Sequence, residues 1–245
     1  FAAKWQFMRR EDRALSLGVE LAGIVGTTTQ TRTDVAPVAA VRQFGAVAKA
    51  SYRIRSLSLL FDWGYASGDQ NPYDDRIEGF RFDRDYKAGL VLFEQVLGYQ
   101  SARAGYRAAD PALVGVAPDG VHLVPTGGAV FNAWYLFPRL RYGFTDWLDL
   151  YGGPLLAWST AKLTDPYSTQ VKGGTPQNYL GASPGSYLGT ELDLGLMARW
   201  RPHRLLAISG TLEGGILLPG DAFVMTNGLT MGPVGLLRLR LSVAL

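Results

Sequence analysis

Cysteine is absent from the 245 residues, which removes any disulfide framework and any thiol chemistry. No apolar run approaches the ~18–20 residues of a membrane-crossing helix. Charge is sparse: Asp, Glu, Lys and Arg make up 18%, and a net charge of +3 is too small and too dispersed for a nucleic-acid surface. Only His122 and His203 are available as imidazole bases, one in an irregular stretch and one in a turn. Neither stands beside a nucleophile, so the chain does not read as an enzyme. No leader opens it: Phe1-Ala2-Ala3-Lys4-Trp5 starts as if already inside a strand, the expected result of processing or truncation. No cofactor is expected.

What is present is alternation. From Leu188 every second residue is Thr190, Leu192, Leu194, Leu196, Ala198 and Trp200, while Gly189, Glu191, Asp193, Gly195, Met197 and Arg199 lie between them. Successive strand side chains point to opposite faces, so one face is apolar and the other carries glycine and charge. Arg201-Pro202-His203-Arg204 reads as the reversal, and Leu206, Ile208, Leu212, Ile216 and Leu218 then oppose Ser209, Thr211, Glu213 and Gly215. Such runs exceed the usual strand of about 5–6 residues and reach the ~9–11 that cross a bilayer when tilted. A soluble barrel with its apolar side inward is the competing reading.

The same pattern recurs from Trp5 to Met8, Leu15 to Ala22, Phe44 to Ile54, Leu57 to Ala66, Trp134 to Tyr142, Leu148 to Trp158 and Leu237 to Leu245. Short turns fall near Asp12, Arg55, Phe144 and Pro202, and long connections at 27–37, 164–186 and 219–233. Sorting of turns by side is a habit of bacterial membrane barrels. Tyr52, Tyr142 and Trp200 sit near short-turn ends, and Trp63, Tyr65 and Trp158 near long-loop ends, as two interfacial girdles would. The sequence therefore predicts an all-β, antiparallel transmembrane β-barrel, taken as a single barrel region over 1–245. About nine strands are legible. Complete bacterial barrels have an even number, so the expectation is the C-terminal half of a barrel of roughly 16–18 strands.

Residues 68–128 break the pattern. Gly68 to Asp75 is turn-forming and acidic, Tyr86 to Gln95 is apolar, and Glu94 to Ala109 looks helical. A connection of this length usually serves function, as a long loop capping the mouth or a plug in the lumen; an added strand pair is the plainer alternative. Asp69, Asn71, Asp74 and Asp75 offer oxygens of the kind calcium takes, but an Asn-Pro turn accounts for them, so no metal site is assigned.

Trp63-Gly64-Tyr65-Ala66-Ser67-Gly68-Asp69, then Asn71-Pro72, the run Phe80 to Tyr86 and Gly89-Leu90-Val91-Leu92-Phe93 together resemble the alginate-export family of outer-membrane barrels. Gly189-Thr190-Glu191-Leu192-Asp193-Leu194 and the run Gly215 to Asp221 fit that family's closing strands. The resemblance covers most of the chain after residue 57. It implies a monomeric barrel of about 18 strands that passes an anionic polysaccharide through a charged lumen. Leu245 stands where such proteins often end on an aromatic residue.

Alternation assigns Lys49, Arg53, Arg139, Arg141, Arg199, Arg238 and Arg240 to the lumen as anion-contacting cations. It places Glu20, Asp62, Asp149, Glu191, Asp193 and Glu213 there as the acidic set. Basic rings favour anions, and mixed charge gives a transverse field with modest selectivity. For any one residue a cross-strand ion pair is the competing role, and Arg199 against an acidic neighbour is such a case. Arg53, Arg139, Arg141 and Arg199 fall toward the short-turn, periplasmic end, where an exported polyanion enters. The function expected is a passive bacterial outer-membrane channel for a polar or anionic polymer, an alginate-like polysaccharide for example. The alternative is a non-conducting docking barrel of a cell-surface complex. The partners expected are outer-membrane lipid, the transported polysaccharide and unidentified periplasmic or surface proteins, with no nucleic acid.

Overall fold

The computed structural model describes residues 2–10, 12–31, 36–71, 74–203 and 206–244, and the side chains of all of these except 6–10 and 203. The strands in order are β1 (Ala2–Arg10), β2 (Arg13–Thr28), β3 (Ala39–Ile54), β4 (Leu57–Ala66) and the two-residue β5 (Arg76–Ile77). After them come β6 (Ala133–Gly143), β7 (Leu148–Trp158), β8 (Tyr187–His203), β9 (Leu206–Pro219) and β10 (Val234–Ala244). They form one all-β sheet in which nine strands run antiparallel in the order β1-β2-β3-β4-β6-β7-β8-β9-β10, with β5 paired parallel to β3. β1 and β10 stand at opposite edges. No helix among the described residues is long and apolar enough to cross a membrane.

Register turns the alternation of each strand into a continuous surface. Leu212 lies opposite Leu196 on one side and Leu239 on the other. Leu194, Leu237 and Leu241 stand on the same face with more than half of their surface open. At the long-loop end of this outer face Phe44, Tyr65, Trp134, Trp158 and Tyr187 form a row across five strands. Tyr65 is in register with Trp134, the Trp134 and Trp158 rings stack at 4.3 Å, and Tyr187 lies 5.4 Å from Trp158.

The strands extend beyond the alternation that announces them: β3 starts at Ala39 rather than Phe44, and β8 continues to His203. Arg201, Pro202 and His203, expected in the reversal, belong to the end of β8. The β8–β9 ladder shifts register between Trp200 and His203, and such an irregularity accommodates Pro202, which has no N–H to pair. Glu11, Arg204, residues 32–35, Pro72 and Leu245, on which parts of the expected turns, loops and terminus fell, lie outside the described residues. The loop 164–186 contains a short helix, α3 (Pro166–Val171).

Residues 68–128 hold no strand longer than β5 among those described; the added strand pair is replaced by helix. A wide helical turn at Leu92–Leu97 leads into α1 (Gly98–Ala108), followed by α2 (Pro111–Val114). The segment leaves and rejoins the sheet through a neck. There the Phe82 N–H donates to the Val130 carbonyl at 2.9 Å, beside an antiparallel bridge between Arg81 and Phe131. Between those points it folds over the inner face of the sheet. Leu90, Val91, Leu92, Phe93, Val96 and Leu97 are buried there together with Tyr135, Phe137, Leu155, Leu188 and Leu217 from the strands.

This core explains the glycines of the wall. The Tyr135 ring lies across Gly64 directly opposite it, where an added Cβ would come within 2.3 Å of the ring. Tyr151 lies across Gly195 in the same way.

Candidate functional site

The inner face divides into two zones. Toward the long loops it is apolar and covered by the insertion; toward the short turns it carries most of the charged residues read from the sequence. The boundary is marked by Glu191, which is fully buried. Its carboxylate accepts the backbone N–H of Leu90 and of Val91 on Oε1 and that of Leu92 on Oε2 at 2.7 Å. These amides open the helical run, where backbone N–H groups have no intrahelical acceptor, and a carboxylate there satisfies both their hydrogen bonding and the helix dipole. Gly89 makes the turn possible. Its φ is +71°, and a Cβ would lie 2.8 Å from Glu191 Oε1. Glu191 is thus an anchor for the insertion rather than a free lumen charge. Asp193, two residues along the same face, has a buried Oδ1 with no hydrogen-bond partner among the described residues.

Most of the remaining candidates are joined in cross-strand pairs. Arg139 on β6 donates to Asp62 on β4. Arg141 and Arg199 converge from β6 and β8 on Asp149 of β7. Arg238 on β10 meets Glu213 of β9 at 2.9 Å and approaches Glu94 of the insertion at 3.8 Å. Glu213 also accepts the Tyr151 hydroxyl at 2.8 Å. Lys49 lies with its Nζ 4.4 Å above the Tyr86 ring. Arg53, Arg240 and Glu20 make no ion pair among the described residues. Arg53, Arg141 and Arg199 do lie at the short-turn end, opposite Ser58, Ser58 and Ser209 respectively.

Alternation alone does not reveal the apolar zone, whose strand side is formed by Tyr135, Phe137 and Leu155 at inward positions. The available signal was the clustering of large apolar residues at the long-loop ends of inward positions, where polar alternation should have continued. Tyr86 links the zones. Its hydroxyl hydrogen-bonds that of Tyr135, and its ring packs edge-on against Phe82 at 5.2 Å. Burial pushes the Tyr86 phenol up to about 12, against the lowering effect of the Tyr135 hydroxyl.

On the β6–β9 side the insertion is joined to the wall by apolar packing; on the β3 side it is tied toward the long loops, where β5 pairs with β3, the Gln43 side-chain amide donates to the Gly79 carbonyl at 2.7 Å and Phe80 lies against Gly45, and space remains below that. A cavity of about 150 Å³ lies between Phe80, Phe82, Tyr86 and the strand residues Glu20, Ala22 and Val47. A second, of about 620 Å³, shares Glu20, Val47 and Tyr86 with it and continues along the wall past Lys49, Asp62 and Arg139.

At the rim, the loops brace the insertion. Arg107 of α1 pairs at 2.8 Å with the buried Asp165, which caps α3, and Arg103 donates to the Tyr179 carbonyl. The Asn178 amide donates to the carbonyls of Ala222 and Val224 at 3.0 and 2.8 Å. His122 lies in a short helical turn, its Nδ1 against the Asp119 carbonyl. Asp69 and Asp74 accept backbone amides of Asn71 and Arg76, as turn residues do. No cluster of metal-ligating side chains occurs among the described residues.

Fold and site together define an antiparallel barrel-type wall, open at two edges, with an inner insertion held by a buried carboxylate. No family model matches the chain, and no curated protein matches it. Among solved structures it is similar to the crystal structure of the Pseudomonas putida toluene transporter TodX, at 13% identity and a TM-score of 0.28. That match covers 89% of this chain and 57% of the other, so the chain spans little more than half the transporter's length.

Proposed function

We propose that this chain is part of the wall of a bacterial outer-membrane β-barrel that conducts polar solutes passively, with the insertion as a fixed partial stopper. The observation that carries the reading is the outer face. Leu194, Leu237, Leu239 and Leu241 are all more than half exposed and contiguous through the ladder. Soluble proteins rarely leave apolar patches beyond a few hundred Å² open to water, whereas hydrocarbon tails cover such a face without cost. The row of tryptophan and tyrosine at its long-loop end supports an interfacial girdle.

In a bilayer both free edges have to be paired, because an unsatisfied backbone group in hydrocarbon costs several kcal/mol. β1 and β10 are the first and last of nine antiparallel strands and so run in the same direction. Antiparallel closure therefore takes an odd number of additional strands.

For the substrate, paired charge favours a polar solute of low net charge. An arginine held by a carboxylate contributes little field to a passing anion, and in this set Lys49, Arg53 and Arg240 have no carboxylate partner among the described residues. An anionic polymer thus rests on those three residues. Planar-bilayer conductance of the complete protein tests the proposal: ohmic channels with weak ion selectivity support it. Absence of conductance in barrels shown to be inserted overturns it.

A second reading, a non-conducting docking barrel, is favoured by one observation: the insertion and the ion pairs occupy much of the inner face. It predicts no conductance, with capture of a surface protein by the loop-bearing rim or of a periplasmic protein by the short-turn end.

A further inference from the structure

The space beneath the insertion on the β1–β4 side is closed toward the long loops. There β5 pairs with Ala40 and Val41 of β3, the Gln43 side-chain amide donates to the Gly79 carbonyl at 2.7 Å, and the Ser67 hydroxyl donates to the Glu78 carbonyl at 2.6 Å. The Phe80 ring takes the place of a side chain at Gly45, where an added Cβ would lie 2.3 Å from it. The Gly120 backbone N–H donates to the Thr31 carbonyl at 2.7 Å and ties the far part of the segment to the loop after β2. Below Phe80 the two cavities share Glu20, Val47 and Tyr86, and the larger, of about 620 Å³, continues toward the short turns past Ser16, Ser51 and Arg139. The space is a pocket, blind toward the long loops, and its volume falls in the ~300–1,000 Å³ range of sites that take small ligands.

Register sets out its lining. Gly18 of β2 is opposite Lys4 of β1 on one side and Lys49 of β3 on the other. The two lysines thus flank a floor with no side chain, their backbones about 9–10 Å apart at the usual strand spacing. Asp62 is opposite Lys49 in turn and holds Arg139 in an ion pair. Glu20 stands one inward position further along β2, opposite Ala2 and Val47 and so diagonal to both lysines. Toward the short turns the Ser16 and Ser51 hydroxyls join at 2.7 Å. Asp83 of the insertion lines the smaller cavity. Lys4, Lys49 and Arg139 are therefore matched by Glu20, Asp62 and Asp83. Of these, Lys4, Lys49, Glu20 and Asp83 make no ion pair among the described residues.

We infer that this pocket binds a neutral saccharide, which names the solute class of the channel reading and rests on it for the route of arrival. Balanced charge leaves no surplus to hold an anion or a cation. An apolar ligand would strip water from ammonium and carboxylate groups and give no hydrogen bond in return, which is costly. Each sugar hydroxyl is both donor and acceptor, so one molecule serves the Lys4 and Lys49 ammoniums, the Glu20 carboxylate and the serine hydroxyls together. Hydrogen bonds to charged groups are the stronger kind. The Gly18 floor gives a sugar ring its room, and Tyr86, its hydroxyl bonded to that of Tyr135, covers the pocket from the insertion side.

Equilibrium dialysis of the complete protein in detergent micelles tests this, with labelled glucose as the neutral probe and glucuronate and protonated glucosamine as its charged counterparts. Glucose is expected to be retained at millimolar concentration, and the two charged sugars several-fold more weakly. Gly18→Leu fills the floor, and its Cβ meets only the Ala3 carbonyl oxygen, at 3.9 Å. It should abolish glucose retention, with heat-modifiable gel mobility confirming a folded barrel. Parent-like retention in Gly18→Leu, or tighter binding of either charged sugar than of glucose, overturns the inference. Planar-bilayer conductance of the same preparation separates the two readings. A parent that conducts but retains no glucose overturns the pocket and leaves the channel. A parent that retains glucose without conducting overturns the channel and leaves the pocket.

Discussion

The Val91 backbone N–H donates to the Glu191 carboxylate at 2.8 Å across one hundred residues of chain. With Leu90 and Leu92 beside it, that contact joins the insertion to the wall at a point where both partners are buried. Each such hydrogen bond adds little net stability, but a buried donor left without its acceptor costs ~1–3 kcal/mol.

Glu191→Ala should therefore release the insertion locally without dissolving the sheet. Amide exchange at residues 90–92 is expected to speed up by two orders of magnitude or more, with β9 and β10 unchanged. Glu191→Gln, which keeps acceptor capacity on one oxygen, should fall between. Parent-like protection of 90–92 in Glu191→Ala would show that apolar packing alone holds the segment.

Asp149 serves two arginines, so the triad should respond asymmetrically. Asp149→Ala leaves Arg141 and Arg199 facing each other without a counter-charge, and a cost of ~1.5–3 kcal/mol is expected from the lost charged hydrogen bonds. Arg141→Ala or Arg199→Ala alone should cost below ~1 kcal/mol, the range of a partly exposed pair, because the remaining arginine keeps Asp149 paired. Urea unfolding from lipid vesicles measures both, and equal costs for all three variants would refute a shared carboxylate.

If lipid covers the outer face, Leu239→Arg should destabilise the barrel in bilayers by ~2–4 kcal/mol. Arg240→Leu, one residue on and facing inward, should be nearly neutral. The reverse ordering would mean that β10 turns its leucines toward protein.

The Tyr86 phenol titrates near 12 in the folded chain against 10.0 when free. The folded state holds that proton more tightly, so the stability linked to it is complete below pH 10 and declines as pH rises from 10 toward 12. Phenolate absorbance should lack this high-pH component in Tyr86→Phe, whose stability should fall less over the same interval. Identical alkaline curves for parent and variant would contradict burial of Tyr86 beside Tyr135.

Much of the wall was legible because strand faces are set by neighbours in sequence. Leu192, Leu194 and Leu196 point one way, and Glu191, Asp193 and Arg199 the other, wherever the ladder forms. The helix from Gly98 was legible for the same reason, being local.

What no local pattern determines is which charges meet. Arg199 lies fifty residues from Asp149, and Glu94 is separated from Arg238 by most of the chain; only register and the fold of the insertion bring them within 4 Å. The sequence by itself thus decided the period, the two faces and the sorting of turns, since these follow from backbone geometry and side-chain polarity. The tertiary structure alone decided that Glu191 is an anchor, that Tyr135 and Phe137 are core, and that the open space lies beside β2 and β3. Each of those depends on where a distant segment comes to rest, and burial and electrostatics act through space rather than along the chain.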